Sequence, residues 1–190
     1  MIRINKKFLA LIESLLENPA YPNVITEHIF EAGDVILKQN SKVNNVYIVK
    51  EGITKCYLTE DTGKDFVQEF FGPGEIFGEV EIFSEAYSFC SIEATTDGSL
   101  FKISHTDFAE LLDKNKVLNW LMLKSLASKV KYKAIRHSFN QSHNTETNLK
   151  RLESEDQNIY NLIPKKDLAN YLGVTERNLN RAINSLKESS

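Results

Sequence analysis

The chain is poor in cysteine, proline, tryptophan and long apolar runs, and each shortage removes a class of protein. Its 190 residues include two cysteines, Cys56 and Cys90. They lack the spacing of a CxxC redox motif or a zinc site, and two thiols cannot staple a secreted scaffold. The four histidines, His28, His105, His137 and His143, form no H-x-H pair, so no metal enzyme is expected. No run approaches the ~20 apolar residues needed to span a bilayer. The first residues pair charge with apolar side chains, but Glu13 interrupts before a continuous signal-peptide core can form. A cytoplasmic protein without a membrane partner is the expectation. No convergent set of acid, base and nucleophile stands out, so an enzyme is not expected either.

What is present is an ordinary globular composition, 42% hydrophobic and 26% charged, with its charge unevenly spread. Residues 1–130 carry 13 Lys/Arg against 19 Asp/Glu, whereas residues 131–190 carry 10 against 7. An acidic body with a basic tail suits a sensor joined to a phosphate-binding module. Sixty residues can also acquire such an excess by chance.

The periodicity changes twice along the chain. Residues 5–17 predict an amphipathic helix through Phe8, Leu9, Leu11, Ile12, Leu15 and Leu16, stopped by Pro19 and Pro22. From 25 to 103, short β-prone runs at 25–30, 35–39, 46–50, 54–59, 66–71, 90–94 and 99–103 alternate with glycine-containing turns. Many short, punctuated strands predict an antiparallel sandwich or roll, and Asp61–Lys64 is the clearest hairpin. A short helix follows at 106–112, with Ser104 or Thr106 as its cap. From Lys116 to His137 there is neither Gly nor Pro, which permits about six continuous helical turns. On it Trp120, Leu123, Ala127, Val130 and Ala134 recur at steps of 3, 4, 3 and 4, the spacing of a two-helix seam. Leu118, Leu121, Met122 and Leu126 supply a second face for the roll. A single wide buried stripe is the competing reading. Residues 140–158 are polar, with Leu149 and Leu152 alone available for burial, and are expected to form a linker with room for a short helix in it.

Residues 164–186 carry the most informative pattern. Pro164 suits the first position of a helix, and Leu168, Ala169 and Leu172 form its inward face. Gly173 falls where the chain must turn through left-handed geometry. Val174 then plugs the core, Thr175 caps the next helix, and Leu179, Ile183 and Leu186 continue inward. A small residue in the first helix, a turn glycine and an apolar residue after it make a helix-turn-helix. The outer face of the second helix offers Glu176, Arg177, Asn178, Asn180, Arg181 and Asn184, whose donors and acceptors suit base edges in a major groove. Lys165, Lys166 and Thr175 are placed for phosphates. A generic helical hairpin with a solvated face is the alternative.

Over nearly its whole length the chain resembles the cyclic-AMP receptor protein/Fnr family of bacterial transcription regulators. Gly72-Pro73-Gly74-Glu75-Ile76-Phe77-Gly78-Glu79-Val80 is similar to that family's phosphate-binding cassette, where glycines admit a phosphate and a glutamate accepts from a ribose hydroxyl. The turns at Gly33-Asp34 and Glu51-Gly52, and the order of roll, long helix and helix-turn-helix, fit as well. The resemblance implies an α+β fold with an N-terminal antiparallel β-roll (a cyclic-nucleotide-binding-like jelly roll) at 1–115. A dimerisation helix at 116–139 and a linker with a reduced winged helix-turn-helix at 140–190 would follow. It implies double-stranded DNA and a second copy as partners, and RNA polymerase as a further candidate.

The departures matter for the effector. Cyclic-nucleotide binders continue the cassette to an Arg followed by Ser or Thr, and those positions correspond to Phe89 and Cys90. The hydroxyl residues that meet adenine correspond to Lys133 and Ala134. A pocket lined by Gly78, Glu79, Val80, Phe89 and Cys90 therefore disfavours cyclic AMP and leaves the effector unidentified or lost. Iron–sulfur sensing of the Fnr type needs four thiolates, and two are present. Cys90 reads as a small buried hydrophobe ahead of a redox switch. The segment before the helix-turn-helix is short and the sequence ends soon after it, so the first helix of the usual winged domain is expected to be trimmed and the second wing hairpin missing. The alternative function is a ligand-binding roll that acts through protein contacts without DNA.

Overall fold

The computed structural model describes residues 1–155 and 158–188, excluding the side chains of 187 and 188. The elements run β1 (Ile2–Arg3), α1 (Lys6–Leu16), β2 (Thr26–Phe30), β3 (Val35–Leu37), β4 (Asn45–Glu51), β5 (Thr54–Thr59), β6 (Asp65–Phe71), β7 (Ile76–Phe77), α2 (Glu79–Ser84), β8 (Ser91–Ala94) and β9 (Gly98–Ser104). Helices follow: α3 (His105–Lys114), α4 (Lys116–Ser142), α5 (Thr145–Glu155), α6 (Ile159–Leu162), α7 (Lys165–Leu172) and α8 (Glu176–Glu188).

The strands form two sheets, ordered β1-β6-β5-β8-β3 and β2-β9-β4-β7, antiparallel except for β1 beside β6. Alternation along each strand decides what it touches. In β4, Val46 and Ile48 join a core with Phe8 and Ile12 of α1, Phe108 of α3, and Leu118 and Met122 of α4. Val49 points the other way, into the roll interior with Leu37, Cys56, Phe71, Phe77, Cys90 and Ile92. The expected hairpin closes at Gly63, with φ 77° and an N–H donated to the Glu60 carbonyl at 2.8 Å. Asn5 caps α1 and Ser104 caps α3 through side-chain oxygens, so both predicted helices begin at a residue that satisfies a free N–H.

One irregularity positions the C-terminal part. Cys56 pairs with Glu69 but Tyr57 pairs with Val67, so Gln68 is an extra residue in β6. The bulge reverses the alternation. Val67 and Phe70 both face outward, against Leu168, Tyr171 and Leu179, while Glu69 and Phe71 face the roll pocket. The freed Gln68 carbonyl accepts from the buried Arg136 guanidinium of α4. The helix-turn-helix thus packs on the outside of the five-stranded sheet.

One boundary differs from expectation: the long helix does not end at 139 but runs to Ser142. The short helix allowed for within the linker is α5, Thr145–Glu155, which takes up most of it. Leu149 and Leu152 are buried in the C-terminal core, so α5 supplies the helix that was expected to be trimmed. Two apolar residues sufficed because α5 buries one narrow stripe. Residues 156 and 157, within the same expected linker, lie outside the described residues.

Candidate nucleic-acid interface and roll pocket

The turn between α7 and α8 is built as its residues require. Gly173 has φ 71°, and the Val174 N–H donates to the Ala169 carbonyl at 3.0 Å, closing the end of α7. Thr175 Oγ1 accepts from the Asn178 N–H at 3.2 Å and so caps α8. Pro164 occupies the cap position of α7 rather than its first helical position.

On α8, Leu179, Ala182, Ile183 and Leu186 are buried. Glu176, Arg177, Asn178, Arg181 and Asn184 are exposed, and Asn180 is half-buried. Lys165, Lys166 and Thr175 are exposed at the starts of the two helices. Asn178 and Arg181 also line a groove with Asn144, Thr145 and Glu146 at the start of α5. Sequence reasoning missed that groove, because only the fold brings α5 beside α8.

The back of α7 is tied to the roll. Lys55 of β5 donates to both Asp167 oxygens, at 2.9 and 3.0 Å, and pairs with Glu93 at 2.9 Å. Tyr171 is buried, its hydroxyl 2.9 Å from that of Tyr132 on α4 and its ring under the Arg136 guanidinium at 4.5 Å. Burial raises the Tyr132 phenol well above its ordinary range, and the proximity of Tyr171 adds to this. With α7 held between the sheet and α8, the polar face of α8 is left outward.

The seam residues of α4 stand free on this chain. Trp120, Leu123 and Val130 are 59%, 53% and 70% exposed, and Ala127 and Ala134 on the same stripe are exposed as well. Leu118 and Met122 are buried on the other side, and Leu121 and Leu126 pack beside them.

The roll pocket gathers all five expected residues, Gly78, Glu79, Val80, Phe89 and Cys90. Gly78 has φ 84° and begins α2; a Cβ there would stand 2.5 Å from the Asn45 carbonyl oxygen. Lys133 lines the pocket, with its ammonium 5.6 Å from the centre of the Phe89 ring at the mouth. Ala134 is not among the pocket-lining residues. Four further polar groups escaped sequence reasoning: Lys129, Glu69, Glu81 and Ser88. Lys129 had a signal, since it precedes Lys133 by one turn, but its partner Glu79 lies on a distant segment. Cys56 and Cys90 are both free and buried, and hydrogen bonding to Cys90 and burial push the Cys56 thiol up. Among the described residues, no group of three or more His, Cys, Asp or Glu could hold a metal ion, and no helix is long and apolar enough to cross a membrane.

This is a cyclic-nucleotide-binding-type roll joined to a helix-turn-helix. Residues 27–115 match the family model described as the cyclic nucleotide-binding domain. Solved structures of 17–18% identity share the fold over 87–95% of this chain. FixK2 from Bradyrhizobium japonicum superposes with a TM-score of 0.74 and 18% identity, covering 87% of this chain and 86% of that one. The regulator CLP of Xanthomonas campestris, described as c-di-GMP responsive, gives 0.74 and 17% over 95% and 92%. An uncharacterized protein of Haemophilus influenzae is 24% identical over 100 residues, 53% of this chain and 78% of that one. The chain also matches lysophospholipase NTE1 of Kluyveromyces lactis, but spans only 7% of its length.

Proposed function

We propose that this protein is a dimeric, sequence-specific DNA-binding transcription regulator whose roll does not respond to cyclic AMP. The observation that carries the reading is the outward polar face of α8, Glu176 to Arg181, on a correctly capped helix-turn-helix. Lys165 and Lys166 stand beside it to meet phosphates. Two such modules related by a two-fold through Trp120, Leu123, Ala127, Val130 and Ala134 would enter successive major grooves, about one helical turn apart.

Against cyclic nucleotides stand Phe89 where a cation would meet the phosphate, and a pocket of about 50 Å³. Ligand pockets ordinarily enclose roughly 300–1,000 Å³. The pocket also gathers Glu69, Glu79 and Glu81 against Lys129 and Lys133, an acidic balance that repels a phosphate. The test is selection of duplexes from a randomised library, followed by binding at several salt concentrations. A two-fold symmetric consensus whose affinity falls with salt is expected. Failure to enrich any duplex would leave the roll as a module acting through protein contacts.

A further inference from the structure

Lys129 departs from how a lysine ordinarily sits. Its side chain leaves α4 and enters the roll, where it is 11% exposed. Its ammonium donates to Glu79 Oε1 at 2.7 Å and to the Ile76 carbonyl, and lies 5.1 Å from the centre of the Phe71 ring. The groups it engages therefore come from β6, from β7 and from the first residue of α2. A buried ammonium is costly unless it is paired and hydrogen-bonded, and here it is both. Burial works against its charge, but Glu79, Glu75 and Glu69 outweigh it and hold the lysine protonated. The remaining space, about 50 Å³, is room for one or two water molecules.

We infer that Lys129 is an internal ligand of the roll pocket: its ammonium occupies the cassette and ties α4 to it with no effector bound. This rests on the regulator reading above and specifies how its pocket is controlled. The tie reaches the DNA-binding module because Tyr132 and Arg136, which hold Tyr171 of α7, follow Lys129 along the same helix. The pocket is thus organised around a primary ammonium, and only a small organic cation could replace it.

Chemical rescue in the full chain tests this. Lys129→Ala leaves Glu79 buried without its cation and should lower the melting temperature by about 5–15 °C. Millimolar n-propylammonium should restore much of that loss and should slow hydrogen exchange again in residues 76–84. Propanol, of equal shape but no charge, and cyclic AMP should restore nothing. Equal rescue by propanol, or no loss in the variant, would overturn the inference. Should Lys129→Ala fail to fold, Lys129→Met keeps the volume. Adding Glu79→Gln to Lys129→Met should then recover part of the lost melting temperature, and a further loss in the double variant would contradict the pairing. Wild type should bind its selected duplex without any effector, and folded Lys129→Met should bind at least about tenfold more weakly; unchanged affinity would refute the coupling. Absence of duplex binding by wild type would sink the regulator reading, while propylammonium rescue would still decide the pocket's occupant.

Discussion

Replacing Val130 by Asp should convert the protein from a dimer to a monomer without unfolding it. Val130 is 70% exposed on its own chain, so an aspartate there touches little of the core and should change monomer stability by less than about 0.5 kcal/mol. The seam is a different matter. Complete burial of a large apolar side chain is worth about 1.5–3 kcal/mol. Trp120, Leu123 and Val130 have 59%, 53% and 70% of their surface still to bury, or roughly 1–2 kcal/mol each. Losing Val130 on both protomers removes roughly 2–4 kcal/mol, and desolvating two carboxylates in the seam removes more. A weakening of more than about a hundredfold follows, since each 1.4 kcal/mol is tenfold. Sedimentation equilibrium at micromolar concentration, with circular dichroism melting as the folding control, measures both quantities. A variant that keeps the dimer mass would refute the seam.

Three further substitutions probe the pocket and the turn. Gly78→Ala and Gly173→Ala share a left-handed backbone but not their surroundings. The new methyl meets the Asn45 carbonyl at 2.5 Å in the first and Phe66 at 3.6 Å in the second. Gly173→Ala should therefore cost only about 1–2 kcal/mol of conformational strain, and Gly78→Ala clearly more, by urea unfolding. Burial raises the Glu69 carboxyl above its ordinary value, with Arg3, Lys133 and Lys129 opposing and Glu75 adding. An acid raised in the folded state contributes stability below its unfolded pKa, near 4.3, that is lost as pH rises through the folded value. Glu69→Gln should accordingly raise the melting temperature relative to wild type most at pH 8 and least near pH 4; the opposite trend would contradict the assignment.

Most of the architecture was legible because it is local. The seven strand runs, the Gly63 hairpin, the Ser104 cap and the Gly173 turn all rest on signals within a few residues, and each appears in place. The elements not foreseen in full are short or polar. β1 and β7 are two residues long, and α5, foreseen only as a short helix within a linker, buries a narrow stripe that includes Leu149 and Leu152. The pocket was half legible. The cassette announced Gly78 and Glu79, and the departure at Phe89 was visible. Glu69 was hidden by the bulge at Gln68, which reverses the face of β6 without changing its composition. The ties from Lys55 to Asp167 and from Tyr132 to Tyr171 join residues far apart in sequence, which periodicity cannot relate.

Competition binding of the Arg177→Ala variant across a randomised operator library tests whether α8 reads DNA sequence. Arg177 lies exposed in the first turn of α8, one turn before Arg181, and both project to the same side. A side chain contacting a guanine edge there contributes discrimination at one base pair, so its loss should cost about 1–3 kcal/mol and relax preference at that position in each half-site. Lys165→Ala or Lys166→Ala should instead weaken all duplexes alike and flatten the salt dependence. Full retention of preference by Arg177→Ala, with loss of preference in the lysine variants, would contradict the orientation of the helix proposed for this protein.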